Sequence, residues 1–159
     1  MNPPILDDTT QIRFSAKIEI NASSEKVFSW INDPNHAMKW MTSVTKTQII
    51  KESPDKVGTT FREIIEDKRG QLEMFGTITE YKHNEKISFQ LNSKVNTVYD
   101  WYFLEEIEGS THLSLTAEIQ FKSSLRFLIY IIWPVFKKKL TDQTQKELMN
   151  LKRLCEQKD

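Results

Sequence analysis

SSEKVFSWINDPNHAMKWMTSV, Ser23 to Val44, is the stretch on which the fold turns. Ser23 or Ser24 can accept hydrogen bonds from the first unpaired amides of a helix, and Glu25 lies favourably at the positive end of its dipole. Val27, Phe28 and Ile31 recur at helical spacing, and Asp33-Pro34 stops the run, because the residue before a proline resists the helical conformation. A second short turn then carries Trp40 and Met41 toward an apolar place that a surface loop would not offer.

The flanking sequence supplies the elements around that place. Upstream, IRFSAKIEI alternates, with Ile12, Phe14, Ala16, Ile18 and Ile20 on one side and Arg13, Ser15, Lys17 and Glu19 on the other, the pattern of a half-buried strand. Downstream come VTKTQIIKE, GTTFREIIE after Gly58, QLEMFGTITEY after an Arg69-Gly70 turn, KISFQLN, NTVYDWYFLEE and, after EGS, THLSLTAEIQF. Each is separated from the next by turn chemistry and not by a helix, so the spacing predicts an antiparallel meander of six strands, seven with the first. From about Ser124 to Lys158 strand punctuation disappears. Leu140, Leu148, Leu151 and Cys155 are spaced for one face of a long terminal helix, and Pro134 is expected to bend it. A sheet with one apolar face must cover it, and this helix is the large element available.

The totals narrow the function classes. The 159 residues suit one domain spanning 1–159, and 22 basic against 22 acidic residues leave no net charge to attract nucleic acid or an anionic membrane. The single cysteine, Cys155, excludes an internal disulfide and a cysteine metal cage and suits a reducing compartment. MNPPILDDTTQ lacks the pattern of a secretory signal, so a cytoplasmic location is expected. The 4 glycines occur in neither phosphate-binding spacing, and there is no His-x-x-x-His pair, so neither a cofactor nor a metal is expected.

IEINASSEKVFSWINDPNHAMKWM, VGTTFRE, TITEYKHNEKISFQL, DWYFLEEIEGSTHLSLTAEI and ELMNLKRLCE, in this order and spacing, resemble the START-like (SRPBCC) superfamily, in particular its polyketide cyclase/dehydrase and lipid transport branch. The resemblance covers nearly the whole chain. His83-Asn84 departs from it, since many members carry a proline in that turn. The resemblance implies an α+β helix-grip fold, in which a seven-stranded antiparallel sheet wraps around the C-terminal helix, with two short helices between the first two strands. It also implies a cavity for a hydrophobic small molecule, with Trp40 and Met41 at its mouth or wall.

Surplus apolar surface supports that expectation. In LRFLIYIIWPVF, if Leu125, Ile129, Ile132, Phe136 and Leu140 pack onto the sheet, Phe127, Tyr130, Ile131 and Trp133 still need cover. The run is too short to span a bilayer, so stable membrane insertion is not expected. The adjoining Lys137 to Lys139 read either as a solvated polar face or as a lipid-surface element. In VYDWYF, if Asp100 faces solvent, then Tyr99, Trp101 and Phe103 face inward, and a phenol and an indole N–H become available to a ligand. The expected cavity set is therefore Trp40, Phe61, Met74, Phe89, Tyr99, Trp101, Ile131 and Phe136, with Gly76 and Ala117 as small neighbours that leave space.

No catalytic set emerges. Alternation sends Glu73, Glu118 and His112 outward, and His83 falls in a turn. His36 has no visible partner. Glu63, between Phe61 and Ile65, is the one acid able to point inward, although Arg62 and Ile64 fit the opposite register equally well. The leading expectation is thus a carrier or sensor that binds a hydrophobic small molecule such as a lipid or polyketide-like ring. The alternatives are a polyketide cyclase/dehydratase-like enzyme and a co-chaperone-like interaction module, with no protein partner indicated.

Overall fold

The computed structural model describes residues 11–68, 70–122 and 126–157. Its strands are β1 (Gln11–Ile20), β2 (Val44–Lys51), β3 (Thr60–Asp67), β4 (Gly70–Lys82), β5 (Lys86–Asn92), β6 (Asn96–Ile107) and β7 (Ser110–Phe121). They form one seven-stranded sheet in the order β1-β7-β6-β5-β4-β3-β2, with every neighbouring pair antiparallel. The meander runs β2 to β7 across the sheet, and β1 closes against β7, so the chain between β1 and β2 must cross to the opposite edge.

That crossing is made by α1 (Ser24–Ile31), a single 3-10 turn (Pro34–His36) and α2 (Ala37–Trp40). Ser23 caps α1 by accepting from the Lys26 amide at 3.3 Å, and Val27, Phe28 and Ile31 form its buried face. Asp33 accepts from the Asn35 amide at 2.9 Å and so starts the 3-10 turn as α1 ends. Trp40 is buried, its indole N–H donating to the Trp30 carbonyl at 3.3 Å.

The long helix α3 (Arg126–Glu156) continues through Pro134. Leu148, Leu151 and Cys155 lie at 0–1 % exposure in the main core with Ile20, Val27, Phe28 and Leu113. Polar ties hold α3 in register: Glu147 accepts from the Thr42 amide at 2.9 Å, Asn150 donates to the Trp40 carbonyl at 3.2 Å, and Glu156 accepts from the Asn21 amide at 2.7 Å. A second, smaller cluster joins Ile12 and Ile119 to Phe121, Phe136 and Leu140.

Two expectations are corrected here. Ile131 is 63 % exposed, with Leu128 and Val135 exposed beside it, so this face of α3 turns away from the sheet. The surplus apolar surface of this half-helix is expected to find cover, and at these three positions the structure leaves it open. Phe136 packs edge-to-face on Phe121 in the smaller cluster, 6.0 Å between centroids, and does not reach the cavity. Arg69 of the expected turn, Ser124, Leu125 and Lys158 at the expected helix ends, and the side chains of Phe127, Ile129, Tyr130 and Trp133 lie outside the described residues.

Candidate functional site

Between the curved sheet and α3, beneath the α1–α2 crossing, lies a cavity of about 210 Å³. Trp40 and Met41 reach it from the end of α2, Phe61 and Glu63 from β3, Met74 from β4, Phe89 and Leu91 from β5, and Asp100 and Tyr102 from β6. Most of the lining is apolar. Four of the eight expected residues, Trp40, Phe61, Met74 and Phe89, are therefore brought together, and the other four are not.

Tyr99 and Trp101 point the opposite way from the inward register expected for them. They stack on the outer face of the sheet, 6.0 Å apart and 15° from parallel, with the Arg13 guanidinium 5.8 Å above the Trp101 ring. Phe103, next on that face, is 55 % exposed. The inward residues of β6 are Val98, Asp100, Tyr102 and Leu104, because Asp100 pairs with Ala117, Tyr102 with Leu115 and Leu104 with Leu113, and directly opposed residues share a face. The signal lay in the EGS turn. Glu108 and Gly109 both have positive φ, 52° and 83°, the requirement of a two-residue hairpin loop, and that loop pairs Ile107 with Ser110. Counting back from this pair places Asp100 and Tyr102 opposite residues already read as inward. The aromatic richness of Tyr99, Trp101 and Phe103 masked it.

Gly76 also acts differently from its expected role as empty space. It pairs with Phe61, and a Cβ there would overlap the Phe61 ring, so the missing side chain is the seat of that ring. His36 is held away from the cavity, its Nδ1 3.0 Å from the Ser29 carbonyl oxygen and its ring 5.0 Å from that of Trp30.

The open register of Glu63 is decided inward. It pairs with Met74, shares its face and is 6 % exposed. Four acids line the cavity in all, Asp33, Glu63, Asp100 and Glu147, with no lysine, arginine or histidine among the lining residues described. Two of the four are well supplied with donors. Asp33 takes the Asn35 amide and side chain, each at 2.9 Å, and Glu147 takes the Thr42 amide at 2.9 Å, the Thr42 hydroxyl at 3.0 Å and Gln143 Nε2 at 3.1 Å. Glu63 and Asp100 have no side-chain hydrogen bond among the described residues.

Burial accordingly pushes the Glu63 carboxyl up to about 7, with the charge of Asp100 adding to the effect. Burial likewise raises Asp100 to about 7, with Glu147 contributing. Tyr102 is pushed well above its ordinary value by burial and then by the carboxylates around it, Asp100 first. A pair of acids that change protonation near neutrality can hold a cation when ionised or donate a hydrogen bond when neutral. Asp100, Tyr102 and Glu147 were not anticipated as site residues. Among the described residues no group of His, Cys, Asp or Glu has the arrangement of a metal site, and no helix is long and apolar enough to cross a membrane.

A family model described as polyketide cyclase / dehydrase and lipid transport matches residues 11–156. Among curated proteins no sequence matches. Solved structures share the fold at low identity. A START superfamily protein from Mycobacterium smegmatis superposes with a TM-score of 0.75 at 16 % identity, over 91 % of this chain and 97 % of that one. The Zhui aromatase/cyclase from Streptomyces sp. R1128 gives 0.77 at 9 % identity, over 92 % and 94 %. The protein TTHA0849 from Thermus thermophilus gives 0.74 at 12 % identity, over 89 % and 95 %.

Proposed function

From a chain that belongs to the polyketide cyclase / dehydrase and lipid transport family, we propose a carrier or sensor that binds a small, largely apolar molecule between its sheet and α3. The observation that carries this reading is the cavity itself, walled by Trp40, Phe61, Met74 and Phe89 with a few inward polar groups from β3 and β6. A mostly apolar concavity with few convergent polar groups is what small-ligand sites look like.

Size sharpens the ligand class. At about 210 Å³ the space falls below the ~300–1,000 Å³ common for drug-sized ligands, which favours a single small ring or a short chain over a full-length lipid. The cyclase alternative rests on shared fold with an aromatase/cyclase, and fold alone carries no chemistry. An interaction module would rest instead on exposed apolar surface.

The reading is tested with the purified chain by native mass spectrometry, for a co-purifying small molecule, and by calorimetric titration with small aromatic and alicyclic compounds. Saturable one-to-one binding is expected, and Ala117→Leu, which fills space at the wall, should weaken it. No bound species and no saturable heat with any compound would overturn it.

A further inference from the structure

We infer that the cavity takes a hydrophobic amine, held as its cation by the carboxylates of Glu63 and Asp100 against aromatic walls. This rests on the reading of the cavity as a small-molecule site and adds the chemistry of the ligand's polar end.

Three observations carry it. First, the sign of the site is uniform: the cavity is lined by four acids and, among the described residues, by no basic side chain, so an anionic ligand meets repulsion and a cation meets attraction. Second, the two acids that project from the sheet wall lack the donors that the other two possess. Glu63 is only 6 % exposed, and among the described residues neither it nor Asp100 receives a hydrogen bond on its carboxyl, whereas Glu147 and Asp33 are each satisfied by neighbouring amides. Asp100 is half-buried, and a carboxyl as deeply buried as that of Glu63 is costly without a partner, so a ligand N–H group would supply the missing donor. Third, the same space is bounded by Trp40, Phe61, Phe89 and Tyr102, packed edge-to-face along the wall as Trp40 on Tyr102, Phe89 on Tyr102 and Phe61 on Phe89. Aromatic walls attract cations as well as apolar bodies, and do so more strongly where water is excluded.

Binding is linked to protons. The titratable groups facing the site are Glu63 of β3, Asp100 and Tyr102 of β6, Asp33 of the 3-10 turn and Glu147 of α3. Below pH 7 Glu63 and Asp100 are largely protonated. An ammonium ion entering then displaces a proton from the pair to the buffer, so the ligand arrives as a cation and the site is left ionised around it. Affinity should fall as the pH is lowered from about 7.5 to about 5.5, and heat measured in buffers of different ionisation enthalpy should show proton release.

The experiment is a calorimetric comparison of three probes of one shape, 2-phenylethylamine, 2-phenylethanol and phenylacetate, on the whole chain. The amine should bind roughly ten- to a hundredfold more tightly than the alcohol, the scale of a charged hydrogen bond, with phenylacetate weakest. In Glu63→Gln with Asp100→Asn that preference should collapse to within a few-fold while the alcohol still binds, which distinguishes a lost cation site from a lost fold. If the alcohol or phenylacetate binds as well as the amine to the unaltered protein, the amine inference fails and the small-molecule reading stands. If none of the three binds and no other small apolar compound does, both fail.

Discussion

Along α3 the same sheet meets the helix in two different ways. Toward the helix C-terminus, Ile20, Val27, Phe28, Leu113, Leu148 and Leu151 pack at no more than 1 % exposure. Even Thr111 there is satisfied, its hydroxyl donating to the Ala22 carbonyl at 2.7 Å. Before Leu148 the interior opens into the cavity, and it is here that Glu63 and Asp100 sit without partners among the described residues. The packed end supplies stability through dense apolar contact, while the open end retains polar groups that lower stability and become useful when something occupies the space.

The largest effect should come from the packed end. Leu151→Ala removes a fully buried side chain with no room for its neighbours to collapse and should cost about 3–5 kcal/mol in denaturant unfolding. Met74→Ala, at the cavity wall, should cost about 2 kcal/mol, the low end for such a truncation, because the side chains around an open space can relax into the room it leaves. Equal costs would erase the distinction between the ends.

The acids give the next effect, and its sign is definite. Glu63 has a folded value of about 7 against 4.5 when unfolded, so the folded state binds its proton more tightly and is favoured at low pH. Stability should therefore decline as pH rises from 4.5 to about 7, and the penalty is fully present above that. Glu63→Gln removes it, raising stability by roughly 2–3 kcal/mol at about pH 8 and by almost nothing near about pH 4. Melting curves at both values check this. A variant no more stable under the alkaline condition than the parent would show that Glu63 is not held in a desolvating site.

Gly76→Ala should cost roughly 1–3 kcal/mol, since its Cβ drives the Phe61 ring off its seat and toward the cavity. Calorimetry should show weaker binding of small aromatic compounds by the same variant. Retained stability together with unchanged binding would mean that Phe61 has another place to go.

The smallest effect is expected on the outer face of the sheet. Trp101→Ala loses its stacking on Tyr99 and the Arg13 contact, worth about 1 kcal/mol together, and should leave ligand affinity untouched. A large loss of binding would contradict the outward register of β6.

Much of this was readable one residue at a time. The capped helix α1, its stop at Asp33-Pro34, the alternation of β1 and the inward row Leu113, Leu115, Ala117 and Ile119 follow from periods of about 3.6 and 2 and from the chemistry of caps and turns, which are local properties. So is the buried stripe Leu148, Leu151 and Cys155 of α3. These signals, joined to the family resemblance, sufficed for the helix-grip architecture and for four of the cavity residues.

What remained for the tertiary structure was wherever two local patterns were equally good. In β6 both faces carry aromatic groups, and only pairing with β7 puts Asp100 and Tyr102 inside and Trp101 outside. In β3 both Arg62/Ile64 and Phe61/Glu63/Ile65 alternate acceptably, and pairing with Met74 and Gly76 of β4 chose the second. The confrontation of Glu63 with Asp100 is further still from the sequence, because β3 and β6 are separated by β5 and β4 in the sheet. Curvature of the sheet around α3 brings their side chains to one cavity, and curvature is a property of the assembled strands that no single strand encodes.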